Sequence, residues 1–413
     1  MKRAKRTTEY PGIKSSRGRS PEAALLRSGR PRLIKQVNQR SVFELVQKLG
    51  TVSRAELARL TGASMPTASK AVARLIKLGL IEEQGIVPPD GKGRPSRMYR
   101  TATMESQVVG IAFEPHHCRV VGAGIDGLYK TSVIASFPPP STYRELIDKT
   151  VVAARTFMAG QARTLRIGIS VPGNVDTAAQ QCLLAPNLHI LDGRKPGVDI
   201  QSALGVETRI VHETIATCLA ERVYGEARGV RNFVMIGTYE GFGMSAVVNG
   251  DLLVGSHGLA GELGHIIVQA DGELCGCGKR GCLETVSTDP AFTRLVNRTA
   301  GTRSSIQDIR DAVHKNKLDV TAQLLTTLDF LATGVAAAIN IFDPELVALC
   351  SRMFEITPDA FASLNSRIIA KTLKPMAQRC QIIRVEGDTL RGGVAAAIYH
   401  TVESLGPRMN WAG

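Results

Sequence analysis

The net positive charge of this chain lies in its first quarter, and this uneven distribution most constrains how the chain can fold. Residues 1–100 hold 22 of the 51 Lys and Arg residues but 7 of the 37 Asp and Glu residues, which leaves 29 basic and 30 acidic residues for 101–413. A basic unit therefore precedes a neutral body. The length of 413 residues and the 44% hydrophobic content predict two or three folded domains and exclude a wholly disordered or fibrous protein.

The first residues predict neither a secretory signal nor a membrane anchor. Residues 1–30 are rich in Lys, Arg, Ser, Gly and Pro and predict a disordered basic arm, because no apolar segment follows the basic start. The longest uncharged apolar run, 330–342, is too short to span a bilayer. Eight cysteines are too few for a secreted disulfide scaffold. We therefore expect a cytoplasmic protein that does not contact a membrane.

Residues 31–100 show the periodicity of three helices followed by a hairpin. Apolar residues recur at helical spacing over 33–49, 53–60 and 64–79, and Thr61-Gly62 separates the second helix from the third. Two short strands flank the Gly- and Pro-rich segment after Ile81. This order predicts a winged helix-turn-helix that binds a double-stranded DNA operator. A protein-interaction module with a solvated basic face is the alternative.

The predicted DNA contacts lie on the third helix and on the hairpin tip, with Arg54 of the second helix placed for a phosphate. A helix of this kind enters the major groove, whereas a thin cationic loop enters the minor groove or lies along the backbone. The predicted contact residues are Arg54, Ser64, Met65, Thr67, Ser69, Lys70, Arg74, Lys92, Gly93 and Arg94.

Beyond residue 101, strands alternate with helices, and a strand-rich start occurs twice. Strands are predicted around 108–137 and again around 234–249, and long helices over 289–340 and 357–373. The repeat predicts an α/β body of two lobes, 101–225 and 226–413, with a ligand cleft between them. The second lobe is predicted to carry the metal loop and the helices of oligomerisation.

Three cysteines and one histidine lie close together in the second lobe. His265, Cys275, Cys277 and Cys282 offer three thiolates and one imidazole, a closed tetrahedral set for Zn²⁺. The neighbouring glycines permit the tight turns that bring four ligands together. We predict a structural rather than a catalytic zinc ion; buried reduced cysteines beside a core histidine are the alternative.

The strings around these ligands resemble a known family. Gly-Glu-Leu-Gly-His at 261–265 and Cys-Gly-Cys-Gly-Lys-Arg-Gly-Cys-Leu-Glu at 275–284 are similar to the signatures of the ROK family of repressors and sugar kinases. Residues 53–58 and the Gly-Lys-Gly-Arg-Pro string resemble its repressor branch. The resemblance implies a winged helix-turn-helix followed by a two-lobed actin/hexokinase-like α/β domain, assembled as homodimers or homotetramers.

The kinase motifs of this family are altered here. Family kinases have Asp-x-Gly-Gly-Thr where this chain has Ala-Phe-Glu-Pro-His at 112–116, and Asn-Asp, with the catalytic Asp, where this chain has Glu213-Thr214. Tyr239-Glu240 precedes the second glycine loop, and Cys350-Ser351-Arg352 replaces a Gly-Gly pair. Because a phosphate cradle and a general base are both missing, we predict that the chain is not an enzyme.

The sugar pocket of the family is better preserved. By resemblance, Asn187, Glu262, His265 and Glu284 match residues that contact sugar hydroxyls. Glu213 is also predicted to bind the effector, because it precedes Thr214, which stands in the place of the catalytic Asp. The sequence therefore predicts a sugar-controlled transcriptional regulator, most simply a repressor of carbohydrate uptake or catabolism genes. A sugar kinase with a DNA-binding appendage and a regulator controlled by a protein partner are the alternatives.

Overall fold

The computed structural model describes residues 30–87, 96–103, 105–128, 133–160, 162–185, 187–256 and 258–406. The predicted basic arm of residues 1–30 lies outside the described residues except for Arg30, which begins the first helix. The predicted DNA contacts Lys92, Gly93 and Arg94 also lie outside them.

The described residues of the N-terminal unit form three helices and three strands. The bounds are α1 Arg30–Leu49, β1 Thr51–Ser53, α2 Arg54–Thr61, α3 Met65–Lys77, β2 Ile81–Val87 and β3 Ser96–Thr101. The Ser53 side chain accepts the Glu56 backbone N–H at the start of α2, and Gly62 ends that helix with φ +63°. The strands pair antiparallel in the order β1-β3-β2. The helices lie where the apolar periodicity predicts them.

The body begins with a five-stranded sheet. The elements of this first lobe are β4 Ser106–Phe113, β5 Cys118–Gly124, β6 Ala135–Phe137, α4 Tyr143–Met158, β7 Arg163–Val171, β8 Asn174–Asp176, β9 Gln181–Leu184, α5 Pro196–Leu204, β10 Thr208–His212 and α6 Glu213–Tyr224. Strands β8 and β9 pair with each other, and the other five strands form the sheet. The strand order is β10-β7-β4-β5-β6, in which β10, β7 and β4 are parallel and β5 and β6 are antiparallel.

A second sheet repeats this arrangement. The strands are β11 Phe233–Gly237, β12 Gly243–Val248, β13 Asp251–Leu252, β14 Leu346–Cys350 and β15 Gln381–Arg384, in the order β13-β12-β11-β14-β15. Again the first strand is central, a meander lies on one side and parallel strands lie on the other. The α/β prediction with a repeated strand-rich start is confirmed.

Helices cover the second sheet. They are α7 Glu284–Ser287, α8 Asp289–Ala300, α9 Ile306–His314, α10 Thr321–Phe342, α11 Ala360–Lys371 and α12 Lys374–Ala377. The region predicted as long helices over 289–340 is three helices, because Gly301 ends α8 with φ +66°. By length and composition α10 is apolar enough to cross a membrane, but 56% of its most apolar window is buried, and it packs in the core of this lobe.

The last helix, α13 Thr389–Glu403, corrects the predicted lobe boundary. It packs on β4, β7 and α6 of the first lobe, although residues 226–413 were all predicted to form the second. Glycines explain the close packing: a Cβ on Gly168 of β7 would stand 2.1 Å from the carbonyl oxygen of Gly393. The chain therefore crosses back to the first sheet at its end.

The N-terminal unit shares a core with the first lobe. Phe43 of α1 and Leu75 of α3 belong to one buried cluster with Val121 of β5 and with Val394 and Ile398 of α13. Because this buried apolar cluster is continuous, the two units pack against each other and are not separate domains joined by a flexible linker.

Candidate functional site

The four predicted metal ligands converge in the structure. The Sγ atoms of Cys275, Cys277 and Cys282 and a ring nitrogen of His265 lie within 4.8 Å of one another. Cys277 Sγ is 3.6 Å from Cys282 Sγ, and Cys275 Sγ is 3.6 Å from His265 Nδ1. Tetrahedral zinc with Zn–S bonds of about 2.3 Å separates its sulfur ligands by about 3.8 Å. The donor set and its spacing therefore fit a metal ion.

Short turns bring these ligands together. The Cys275 N–H donates to the carbonyl oxygen of Lys279, and Gly278, with φ +84°, donates to the carbonyl oxygen of Cys275. A Cβ on Gly281 would stand 1.5 Å from the carbonyl oxygen of Gln269, so only glycine fits there. The loop geometry thus follows directly from the glycines around the cysteines.

Two predicted effector residues flank the metal ligands. Glu262 Oε2 lies 3.5 Å from His265 Nε2, while the other ring nitrogen of His265 faces Cys275. On the opposite side, Glu284 Oε1 is 3.6 Å from Cys275 Sγ. A carboxylate on the outer nitrogen of a ligating histidine orients its ring and raises its basicity. His265 can therefore bind a metal through Nδ1, with Nε2 facing Glu262 at the surface.

Glu284 also connects the metal cluster to the first lobe. Its Oε2 accepts the backbone N–H of Phe242, in the loop between β11 and β12. The residue after that loop, Gly243 at the start of β12, packs against the start of α6, where an added Cβ would stand 2.0 Å from Thr214 Oγ1. One short loop thus joins the metal cluster to the lobe that carries Glu213.

Glu213, another predicted effector residue, has a raised pKa. It begins α6 at the carboxyl end of β10, near Glu114 at the end of β4 and Glu240 after β11. Burial, with a further contribution from these two carboxylates, raises the pKa of Glu213 from 4.5 to about 7. Carboxyl ends of parallel strands are where open α/β sheets bind ligands, and here both sheets contribute them.

Asn187 stands apart from the other predicted effector residues. It is exposed on the segment that follows β9, and no described hydrogen bond joins it to the other four. Glu262, His265 and Glu284 form one connected group, and Glu213 lies across the β11–β12 loop from it.

Sequence reasoning missed a second group at the same strand ends. Asp289, at the start of α8, accepts from Ser351 Oγ at 2.5 Å and from the Arg352 N–H at 2.9 Å, and burial raises its pKa to about 6. Its Thr-Asp-Pro context signals only a helix start. The contact with the end of β14 depends on the tertiary fold.

The predicted DNA contacts of the third helix lie on one side of it. Met65, Lys70 and Arg74 are exposed, opposite the buried apolar residues of α3. Ser64 caps the helix and pairs with the Thr67 hydroxyl, and Ser69 is half-buried. Arg54 stacks over the Tyr99 ring at 5.1 Å, so its guanidinium is directed toward the hairpin.

The chain is similar to known repressors and to solved structures. It is 26% identical over 357 residues to the xylose repressor of Bacillus subtilis, which covers 85% of this chain and 91% of that protein. It is 24% identical over 370 residues to the N-acetylglucosamine repressor of Escherichia coli O6:H1, with 86% and 90% covered.

Solved structures share the fold. A ROK family transcriptional regulator, homologue of the E. coli MLC protein, matches with a TM-score of 0.78 at 24% identity, covering 90% of this chain and 98% of that one. The ROK hexokinase of Thermus thermophilus matches with a TM-score of 0.63 at 22% identity, covering 72% and 99%. Residues 117–399 match the sequence profile of the ROK family, which is more than half of the chain, and the chain therefore belongs to the ROK family.

Proposed function

We propose that this chain is a transcriptional repressor whose N-terminal winged helix-turn-helix, residues 31–100, binds operator DNA. The observation that carries the proposal is the exposed side of α3, where Lys70, Arg74 and Lys77 lie without any Asp or Glu on the helix. Three cations on one exposed helical face match a phosphate-lined groove. The name of the B. subtilis relative, a xylose repressor, supports the same function.

The wing is part of this proposal. β2 and β3 pair antiparallel on either side of the segment that contains Lys92, Gly93 and Arg94. Cations in a segment that joins two paired strands suit a minor groove or the phosphate backbone.

A sugar-like effector in the cleft between the lobes would control DNA binding. Glu262 and Glu284 offer carboxylate oxygens, which accept hydrogen bonds from sugar hydroxyls. The β11–β12 loop connects this cluster to the first lobe through Thr214 and Gly243, so a ligand there would affect the relative position of the lobes. Relatives named for xylose and for N-acetylglucosamine support a carbohydrate effector.

The contacts of Glu114 argue against phosphoryl transfer. Its carboxylate accepts two hydrogen bonds from Arg119, at 3.0 and 2.9 Å, and one from Thr389 Oγ1 at the start of α13. The Asp388 carboxylate caps the same helix. Two carboxylates therefore occupy a helix N-terminus that would otherwise favour a phosphate.

The end of β14 is also occupied by side chains of the chain itself. The Arg352 guanidinium lies 5.0 Å from the Tyr239 ring centroid and 3.2 Å from Glu240 Oε1, and the Tyr239 hydroxyl donates to the Glu386 carbonyl oxygen. Thr214 replaces the Asp of the family kinases and supplies no general base. These contacts support a regulator that lacks kinase activity.

We propose that His265, Cys275, Cys277 and Cys282 hold a structural Zn²⁺. A closed set of four protein ligands leaves no open coordination position for catalysis. The zinc would hold the loop that carries Glu262 and Glu284. We further propose that the protein acts in the cytoplasm as a homodimer or homotetramer, since paired half-sites require paired recognition helices.

Selection of bound duplexes from a random DNA pool tests the proposal. A defined sequence should be enriched by the wild-type chain and bound about tenfold or more weakly by Lys70→Ala in a mobility-shift assay. Arg144→Ala, an exposed cation on α4, is the matched control. Failure to enrich any sequence would refute DNA recognition.

Two further measurements separate the alternatives. Sugar-dependent ADP release over a panel of hexoses would establish kinase activity. It would contradict the inference that the contacts of Glu114 exclude phosphoryl transfer. A sugar-dependent rise in thermal midpoint supports the small-molecule effector, whereas a protein-controlled regulator would show none.

A further inference from the structure

A cavity of about 720 Å³ lies at the junction between the N-terminal unit and the body. Its walls come from α1, β3 and the end of α2 on one side, and from α6, the segment 228–231 and α13 on the other. The volume is that of a typical small-molecule pocket. The cavity lies at the side of α1 and α6, apart from the metal loop and the residues proposed to bind a sugar.

The described lining of this junction cavity is strongly cationic. The lining contains six basic side chains and two carboxylates, those of Glu44 and Asp126. The basic residues are Arg40, Lys48, Arg100, Arg222, Arg228 and Arg231. Such a concentration of one sign of charge attracts an anion.

Some of these cations are already neutralised. Arg40 lies 3.1 Å from both Glu44 and Asp251, and Arg100 lies 2.8 Å from Glu82. Lys48 and Arg228, by contrast, have no ion-pair partner among the described residues. Two cations without a carboxylate thus remain in the lining.

Lys48 and Arg228 approach each other from the two units. Arg228 Nη2 donates to the carbonyl oxygen of Gln47, the neighbour of Lys48 in α1, at 2.8 Å. Lys48 Cε lies 3.9 Å from the place that a Cβ on Gly229 would occupy. Both side chains are exposed and not held in the core. The segments that carry the two cations are therefore neighbours across the junction.

We propose that the junction cavity binds a small organic phosphate, of the size of a sugar phosphate or a mononucleotide, through Lys48 and Arg228. A guanidinium pairs with phosphate oxygens through two parallel hydrogen bonds, and an ammonium adds a point charge. Leu45, Leu219 and Ile398 also line the cavity and offer apolar surface for the organic part.

Binding at this place would tie the N-terminal unit to the body. α1, which carries Lys48, packs on α3, so a ligand that bridges Lys48 and Arg228 stabilises one position of α3 relative to the sheets. The cavity is a second control point, separate from the proposed sugar site. It does not depend on which DNA sequence the protein binds.

Isothermal titration calorimetry of the full chain without DNA tests the proposal. Glucose 6-phosphate, AMP and inorganic phosphate are compared with glucose and adenosine at a constant ionic strength of about 150 mM, which screens non-specific attraction. We expect both organic phosphates to bind with a Kd below about 1 mM and more tightly than their unphosphorylated counterparts. Binding of neither organic phosphate would overturn the proposal.

Variants assign the binding to this cavity. Lys48→Gln and Arg228→Gln should each weaken phosphate binding about tenfold or more, since each removes a charged hydrogen bond. Arg144→Gln, at a remote exposed position, should leave it unchanged. Unchanged affinity in Lys48→Gln, with an unchanged thermal midpoint to show that it folds, would refute the assignment.

A competition experiment tests whether Lys48 and Arg228 bind a small anion or the phosphate backbone of DNA. At saturating short duplex DNA the affinity for glucose 6-phosphate should reach a limiting value rather than fall without limit, because the proposed recognition helix is α3 and two coupled sites can be occupied together. Displacement of glucose 6-phosphate by DNA would assign Lys48 and Arg228 to the DNA-contacting surface and overturn the proposal. The mobility-shift test of Lys70→Ala is independent, so the two proposals can fail separately.

Discussion

Replacing Glu213 by Gln should make the protein more stable at alkaline pH, with little gain at acidic pH. The carboxylate sits at the junction of the two lobes, and burial together with Glu240 and Glu114 raises its pKa from 4.5 to about 7. The folded state therefore holds a proton that the unfolded chain releases between these two values. The linked stability is fully present below pH 4.5 and is lost as the pH rises to about 7.

The size of the effect follows from the shift. One pKa unit corresponds to about 1.4 kcal/mol, so a rise from 4.5 to about 7 costs about 3 kcal/mol above neutral pH. The positive end of α6 and the partial exposure of Glu213 reduce this cost. We expect Glu213→Gln to gain about 1–2 kcal/mol at pH 8, or a few degrees of thermal midpoint.

Calorimetric scans of wild type and variant from pH 5 to pH 8 measure this difference. The stability gain of Glu213→Gln should grow with pH, because the carboxyl of the wild type ionises and the amide of the variant does not. Any difference in packing between the two side chains is the same at every pH. Asp148→Asn, a change at an exposed carboxylate of α4, should give a flat difference. A Glu213→Gln gain that is equal at pH 5 and pH 8, or absent at pH 8, would refute a protonated Glu213.

Three further predictions concern other parts of the chain. Lys70→Ala should reduce the slope of log affinity against log salt by about 0.9 in DNA titrations, and an unchanged slope would show that Lys70 does not contact a phosphate. Cys282→Ser should lower the bound zinc, measured by elemental analysis, and the thermal midpoint together; full zinc content would contradict the ligand assignment. Gly168→Ala should destabilise the fold by about 2 kcal/mol or more in urea unfolding, since its Cβ would meet the backbone of α13, whereas Gly160→Ala, with no atom nearer than 3.6 Å, should cost far less.

The metal cluster shows how far local sequence can lead. His265 and the three cysteines lie close in the chain, and the glycines between them permit tight turns. Their convergence could therefore be predicted from a short stretch of sequence. The helices of the N-terminal unit were equally predictable, because caps and apolar periodicity act over a few residues.

The last helix shows where such reasoning ends. α13 follows the second lobe in sequence, yet its buried face fits the glycine-lined surface of β4 and β7. Nothing within a few residues of Thr389 indicates that it will donate to Glu114, whose position in the chain is distant.

Local signals thus determined the elements, the metal ligands and the basic character of the first unit. The raised pKa of Glu213, the carboxylate at the start of α13 and the cationic junction cavity were decided by tertiary structure. The physical reason is that burial and charge–charge interactions depend on distances in space. Those distances exist only after the two sheets and the N-terminal unit have packed together.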